Sequence, residues 1–422
     1  MTVEFPYQDV PDLEIDDSFQ VDTFAPLAPP KEGNHRDIVK SALENPIGAA
    51  RLRELAIGRS SVLIVFDDYS RPTPIYVFVE AILEELQSAG IEDNMITFMA
   101  ALGTHRPMTA EEFSAKLGQP VVDRFRVLNH TWDDLSKLEY LGETEQGVPV
   151  WINPIVRESD LVIGLGAIMP LEVAGFTGGG KILVPGLSGE LTVDEMHWNR
   201  IDVPAHQVVG KRDNPIRKSI DGLARKAGLD FIVNVVLDDG RNIVDAVAGD
   251  MVEAHRVGCR RAEHLFAVQV QKLYDIVIAD SYPFDVEFWQ ANKALDTAGA
   301  FVRTGGVIVL VSPCYEGWSR THSADILEFG YRPVKEIKEL VASGRIRHKV
   351  VGVHMYQVSQ ATDDKRQLIM VSSGIPKGEI EKVGFRWAAS PQAAFDAAVL
   401  ELGRHATVAV LKDSPRIMAI AD

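Results

Sequence analysis

A short β-branched run, a polar or glycine-rich turn, then a longer stretch of helical spacing: this rhythm recurs along the chain and narrows its folds to a few. Residues 61–66 (SVLIVF) end in DDYSRPTP, after which apolar residues recur at helical intervals through 75–86. Residues 95–102 run into GTHRPMT, where Thr109 is placed to cap the helix that begins AEEF. Residues 160–166 (DLVIGLG) open onto MPLEVAGFTGGGK, 275–279 (DIVIA) onto DSYPFDVEFWQANKAL, and 306–311 (GVIVLV) onto SPCYEGWS. Strands alternating with helices of this length predict an α/β fold of mainly parallel sheets flanked by helices. Residues 230–236, DDGRN and 243–247 read instead as an antiparallel hairpin, because Asp-Gly supplies the turn.

At 422 residues the chain exceeds one compact core, so two or three domains are expected. A helical pattern runs from Met251 to about Ala267, and a fresh strand–helix series starts near Tyr274. That predicts two α/β domains, 1–268 and 269–422. The formal charge of −17, from 43 basic and 60 acidic residues, argues against nucleic acid or an anionic membrane as partner. Only Cys259 and Cys314 occur, too few for a disulfide scaffold or a cysteine-rich zinc site. The acidic start MTVEFPYQDVPDLEIDD lacks the basic-then-apolar pattern of a signal peptide. No apolar run approaches the ~20 residues that span a bilayer. A reduced, cytoplasmic protein is the expectation.

Ligands of open α/β sheets sit at the carboxyl ends of strands, where this chain carries its unusual residues. Residues 175–181 (GFTGGGK) match the GxxxxGK spacing of a Walker A loop, but Ile182 stands where Ser or Thr would bind Mg²⁺. The glycines still allow close backbone approach to a phosphate, and Lys181 suits a phosphate partner or a covalent link. The plainer reading is a surface loop with a solvated lysine. His105, beside Arg106 at the end of a buried-strand pattern, suits a general base, or alternatively a structural role. Asp67, Asp68 and Arg71 in DDYSRPTP suit a metal, a ribose or a local salt bridge. His197 in DEMHW is a metal-ligand candidate, and His206 a weaker one, without the HExxH or CxxC patterns of common zinc sites. Trp289, Gln290 and Lys293 share a predicted helical stretch whose Gln–Lys face fits a carboxylate or is simply solvated.

Taken together, DDYSRPTP, GTHRPMT, MPLEVAGFTGGGKILVPG, His197 and WQANK resemble the nickel-dependent lactate racemase family, in order and over nearly the whole chain. The resemblance implies two domains, the N-terminal one binding cofactor and carrying catalysis, the C-terminal one contributing substrate-binding residues, with the active site in the cleft between them. It implies a nickel-pincer nucleotide (the nickel complex of pyridinium-3,5-bisthiocarboxylic acid mononucleotide) attached covalently to Lys181, with His197 as nickel ligand. It places Asp68, Arg71 and the loop residues Gly175, Thr177, Gly178, Gly179 and Gly180 around the cofactor. Arg71, Trp289, Gln290 and Lys293 then face the substrate. His105 becomes the catalytic base of a 2-hydroxy acid racemase or epimerase working by hydride transfer, supplied by cofactor-synthesis proteins. An assembly of several copies is compatible with the sequence.

One departure stands out. Where lactate racemases place a second catalytic histidine, ten residues before the tether lysine, this chain has Leu171. Glu172 and His206 are the neighbours that could substitute. The expectation is a substrate larger or more polar than lactate, with two alternatives: a 2-hydroxy acid oxidoreductase on the same cofactor, or a nucleotide-binding homologue without turnover.

Overall fold

The computed structural model describes residues 1–27, 34–144, 147–201, 203, 207–238, 240–362 and 367–420. Within these the chain forms two compact units, one of Leu27–Leu265 and one of Met1–Pro26 with Phe266–Asp422.

The first unit is built on β1 (Val62–Asp67), α1 (Ile75–Ser88), β2 (Ile96–Ala101), α2 (Ala110–Leu117), β3 (Arg126–Asn129) and β4 (Leu161–Ala167). It continues through α3 (Glu190–Trp198), α4 (Pro215–Ala227), β5 (Phe231–Leu237), β6 (Ile243–Gly249) and α5 (Glu253–Phe266). Its six-stranded sheet has the order β6-β5-β4-β1-β2-β3. All neighbours are parallel except β5 and β6, the antiparallel pair expected from Asp-Gly. Central β1 and β4 are buried almost throughout, because helices cover both faces of a parallel sheet; that is why they read as continuous apolar runs. Thr109 caps α2 as predicted: its hydroxyl accepts from Glu112 N, and the Glu112 carboxylate accepts from Thr109 N.

The second unit carries β7 (Tyr274–Asp280), α6 (Phe288–Ala291), α7 (Lys293–Phe301), β8 (Val302–Val311), α8 (Lys349–Thr362), β9 (Gln367–Val371), β10 (Arg386–Trp387) and β11 (Val408–Leu411). Its six-stranded, all-parallel sheet runs β10-β9-β8-β7-β11 and ends on an unlabelled edge strand, Val21–Phe24. Apolar clusters fill both faces of this sheet.

That edge strand corrects the boundaries read from sequence, which assign 1–26 to the first domain. Residues 21–24 pair with β11 along its length, and Val3, Tyr7, Leu13 and Ile15 enter the core on one face of the second unit's sheet. Burying these side chains and pairing an otherwise bare strand edge is the physical reason for the assignment. A second difference concerns WQANK. The single helical stretch predicted there is two short helices, α6 and α7, meeting at Asn292.

Candidate functional site

In the first unit, the ends of β1 and β2 bring the DDYSRPTP and GTHRPMT turns together. Asp68, only 2% exposed, receives the Ser70 backbone N–H and hydroxyl on Oδ1, while Oδ2 lies 2.5 Å from His105 Nδ1. Burial alone would raise this carboxyl. The charge and hydrogen bond of His105, with Arg71 and Ser70 behind them, outweigh it and bring Asp68 down to about 2. Asp68 is therefore ionised, holds the proton on Nδ1, and leaves the lone pair of His105 on Nε2. Gly103, at φ +57°, makes the tight turn that lifts His105 off the strand, and the His105 carbonyl is held by Trp132 Nε1 at 3.0 Å. The geometry orients the imidazole through Nδ1.

Arg71 is tied to the same turn through Ser70, whose hydroxyl accepts from Nη1 at 2.8 Å. Beneath it lies a residue the sequence pattern did not single out. Lys116 on α2, 7% exposed, donates to the Arg71 carbonyl at 2.7 Å and pairs with Asp67 at 2.8 Å. Asp67 is thus engaged locally with Lys116 and Thr73. Arg106 turns away to a two-pronged pair with Glu112 and sits 3.8 Å from the Tyr69 ring centre. Only the burial of Lys116, invisible in a polar helix turn, could have announced its role.

The glycine-rich loop follows the short antiparallel pair Pro170–Leu171 and Gly175–Phe176. Gly178 and Gly179 adopt φ of +78° and +60°, and added Cβ atoms there would lie 2.7 Å from Asn234 Oδ1 and 2.9 Å from His255. Both glycines are required by backbone and by space. Lys181 stands in the single 3-10 turn that ends the loop. Ile182, at the position where a Walker loop carries Ser or Thr, packs against β4, where a Cβ on Gly164 would come within 2.6 Å of it. It acts as a core residue, not as the Mg²⁺-binding hydroxyl of a Walker A loop.

His197 lies on α3, partly buried, with Nδ1 donating to the Val193 carbonyl at 2.7 Å. Burial first, then the charge of Lys181, lower it to about 4 against the hydrogen bond that supports it, and His105 adds to the lowering. A neutral imidazole with its proton fixed on Nδ1 offers Nε2 to a borderline divalent metal, so the donor set of Lys181 and His197 fits the nucleotide and nickel of the resemblance. Leu171 is buried and offers no base; the Glu172 carbonyl accepts from Arg200 Nε at 3.1 Å, and His206 lies outside the described residues.

In the second unit, Gln290 and Lys293 are 2% and 9% exposed, which rules out a solvated face. Lys293 Nζ donates to Gln290 Oε1 at 2.6 Å. Trp289 stacks on His354, with ring centres 4.4 Å apart and planes at 14°, and its ring centre lies 4.7 Å from that of His322. His354 also accepts from Asn292 Nδ2 on Nδ1 at 3.0 Å and lies 2.8 Å from the Tyr331 hydroxyl through Nε2. Burial first, then Lys293 and His322, bring it down to about 3, so the imidazole is neutral. His354, held by Tyr331, anchors Trp289 and Asn292, the residues just before Gln290 and Lys293 in sequence, a role that no spacing advertises. Cys259 and Cys314 are buried free thiols. Among the described residues no helix is long and apolar enough to cross a membrane.

The chain matches the family models "Lactate racemase N-terminal domain" over residues 8–208 and "Lactate racemase C-terminal domain" over residues 269–419. Curated relatives named lactate racemase, from Lactiplantibacillus plantarum and Thermoanaerobacterium thermosaccharolyticum, are each 34% identical over 287 residues, which is 67% of this chain and 67% of the relative. The solved lactate racemase apoprotein of T. thermosaccharolyticum superimposes with a TM-score of 0.86 at 26% identity, covering 100% of both chains. A Thermotoga maritima protein shares the fold at a TM-score of 0.75 and 20% identity, over 93% of this chain and 100% of its own.

Proposed function

This chain belongs to the lactate racemase family, and from that premise we propose that it is a racemase or epimerase of 2-hydroxy acids using a nickel-pincer nucleotide held by Lys181 and His197. The observation that carries the reading is the Asp68–His105 pair at 2.5 Å, because it supplies an oriented base in the same unit as Lys181 and His197. When bound, the nucleotide would supply reversible hydride acceptance from the substrate's C2.

The remaining work falls to side chains of this chain. His105 Nε2 takes the hydroxyl proton, and ionised Asp68 stabilises the imidazolium that forms. The product of oxidation is a planar 2-keto acid that can be reduced on either face. His105 returns the proton to the same oxygen in either case. In the first unit Arg71 supplies a cation for a substrate carboxylate; in the second, the buried Gln290–Lys293 pair at 2.6 Å is suited to hold a carboxylate, with Trp289 as an apolar neighbour. Placed cations thus bind an anionic substrate on a protein of net charge −17.

Protein made in cells containing the cofactor-synthesis proteins is expected to carry nickel and a mass increase on the peptide containing Lys181. Both disappear in Lys181→Ala, and the loaded protein equilibrates the two stereoisomers of at least one acid in a circular-dichroism screen of chiral 2-hydroxy acids. Active protein without the adduct sinks the proposal.

Buried Leu171 favours one other reading, a one-way 2-hydroxy acid oxidoreductase on the same cofactor, since a second base is missing where the resemblance expects it. Net accumulation of 2-keto acid with an added acceptor would identify it. Equilibration of stereoisomers without net oxidation excludes it, and loaded protein that transforms no acid is left as a nucleotide-binding homologue.

A further inference from the structure

Under the glycine-rich loop lies a buried charged cluster. Arg217 on α4, with no exposed surface, donates through Nη1 to the Gly178 carbonyl at 3.1 Å and through Nη2 to the Phe176 carbonyl. His255 on α5, equally buried, meets the Thr177 carbonyl between them through Nε2 at 2.8 Å. Three successive carbonyls are therefore taken from the core side. The donors are themselves ordered from behind. Arg256 donates to His255 Nδ1 at 3.1 Å and to Asp221 Oδ2 at 2.7 Å, and Asp221 Oδ1 stands 3.9 Å from Arg217.

Because Arg256 can only donate, His255 Nδ1 must accept, and the ring proton sits on Nε2, facing Thr177. Burial, followed by the Arg217 charge, keeps His255 well below its usual range, which agrees with a neutral ring of fixed tautomer. On the loop's other flank Asn234 Oδ1 accepts from Gly179 N at 2.8 Å. An added Cβ at Gly180 would meet Ala224 at 2.9 Å, so the loop cannot slide along its bed. A buried guanidinium is costly unless its protons are satisfied, and loop carbonyls satisfy two of them here.

We propose that Arg217 and the Asp221–Arg256–His255 relay are positioning residues that lock the 176–178 carbonyls inward and so hold Lys181 in the geometry in which it takes up its ligand. This rests on the reading that Lys181 carries the cofactor, but the lock itself is testable without it.

Amide hydrogen exchange on the full chain reads the peptide spanning 176–181 in wild type, His255→Leu, His255→Gln and Arg256→Met. The same proteins, made with the cofactor-synthesis proteins, give nickel content and the mass of the Lys181 peptide. His255→Leu is expected to speed exchange in the loop at least tenfold while β1 and β7 stay as in wild type, and to lower Lys181 loading at least fivefold. His255→Gln, whose amide reaches the same carbonyl, restores both. Should His255→Leu fail to fold, Arg256→Met keeps the imidazole, loosens its tautomer, and speeds loop exchange alone. Unchanged loop exchange in the folded variants overturns the proposal, as does failure of Gln to restore it. Wild type without any adduct refutes the cofactor reading, and the exchange data still decide the lock.

Discussion

Asp68 shows how a single side chain ties electrostatics to chemistry. Its carboxyl is depressed to about 2, so it contributes stability that is whole above its unfolded value, ~3.9, and lost as pH falls through 2. The unfolding free energies of wild type and Asp68→Asn should therefore converge by about 2 kcal/mol between pH 5 and pH 2; parallel curves in urea titrations would count against the ion pair. At neutral pH the same variant is expected to lower kcat roughly 100-fold or more, because the imidazole loses its tautomer and its counter-charge. Leu171→His makes the opposite experiment. It puts a polar ring into a buried site at a cost of about 1–3 kcal/mol. If a second base is what limits small substrates, loaded variant interconverts D- and L-lactate faster than wild type, read by circular dichroism. At this scale much was legible: His105, Lys181 and His197 stand out as reactive residue types at strand ends or beside a glycine-rich turn. Lys116, Arg217, His255 and His354 were not, because what defines them is burial and a partner distant in sequence, neither of which leaves a local pattern.

Elements were legible where local physics fixes them. The runs SVLIVF and DLVIGLG announce strands covered on both faces, and Thr109 with Glu112 announces the start of α2 through a reciprocal cap. Removing that cap should matter in proportion. Thr109→Ala is expected to cost about 1 kcal/mol, a fall of roughly 2–4 °C in the calorimetric Tm, with Thr109→Ser recovering most of it. No change would show that α2 is held by Lys116 and its packing alone. The break at Asn292 was not legible. Its side chain bonds to His354, 62 residues away, and the short helices α6 and α7 meet at that anchor. The strand Val21–Phe24 escaped for a similar reason: four residues, two of them polar, carry little strand signal until a partner edge is known.

For the whole molecule, the division into two α/β units follows from length and from the restart of the strand rhythm near residue 274. The N-terminal segment's allegiance comes from long-range pairing. Val408 N donates to the Gln20 carbonyl, Lys412 N to the Phe24 carbonyl, and Tyr7 accepts from Ser281 N in the core. Deleting residues 1–26 should accordingly loosen the second unit selectively. Four buried apolar side chains at about 1.5–3 kcal/mol each amount to a large share of a domain's stability. Hydrogen exchange in Val408–Leu411 is expected to rise by orders of magnitude while Val62–Asp67 keeps its protection. Equal loosening of both strands would mean that the segment serves the whole chain rather than one sheet.

That pairing also sets an order of assembly on the ribosome. Leu27–Leu265 is complete, with both edges of its sheet made, before residues 408–411 are synthesised. Residues 1–26 emerge before that unit, yet their partner strand at 408–411 emerges well after it. Until 408–411 is made, residues 21–24 lack that partner, while domains generally fold in the order they appear. Completing the second unit's sheet joins two segments far apart in sequence, a long-range contact of the kind that slows folding. Residues made before the first unit find their partner only after it is complete.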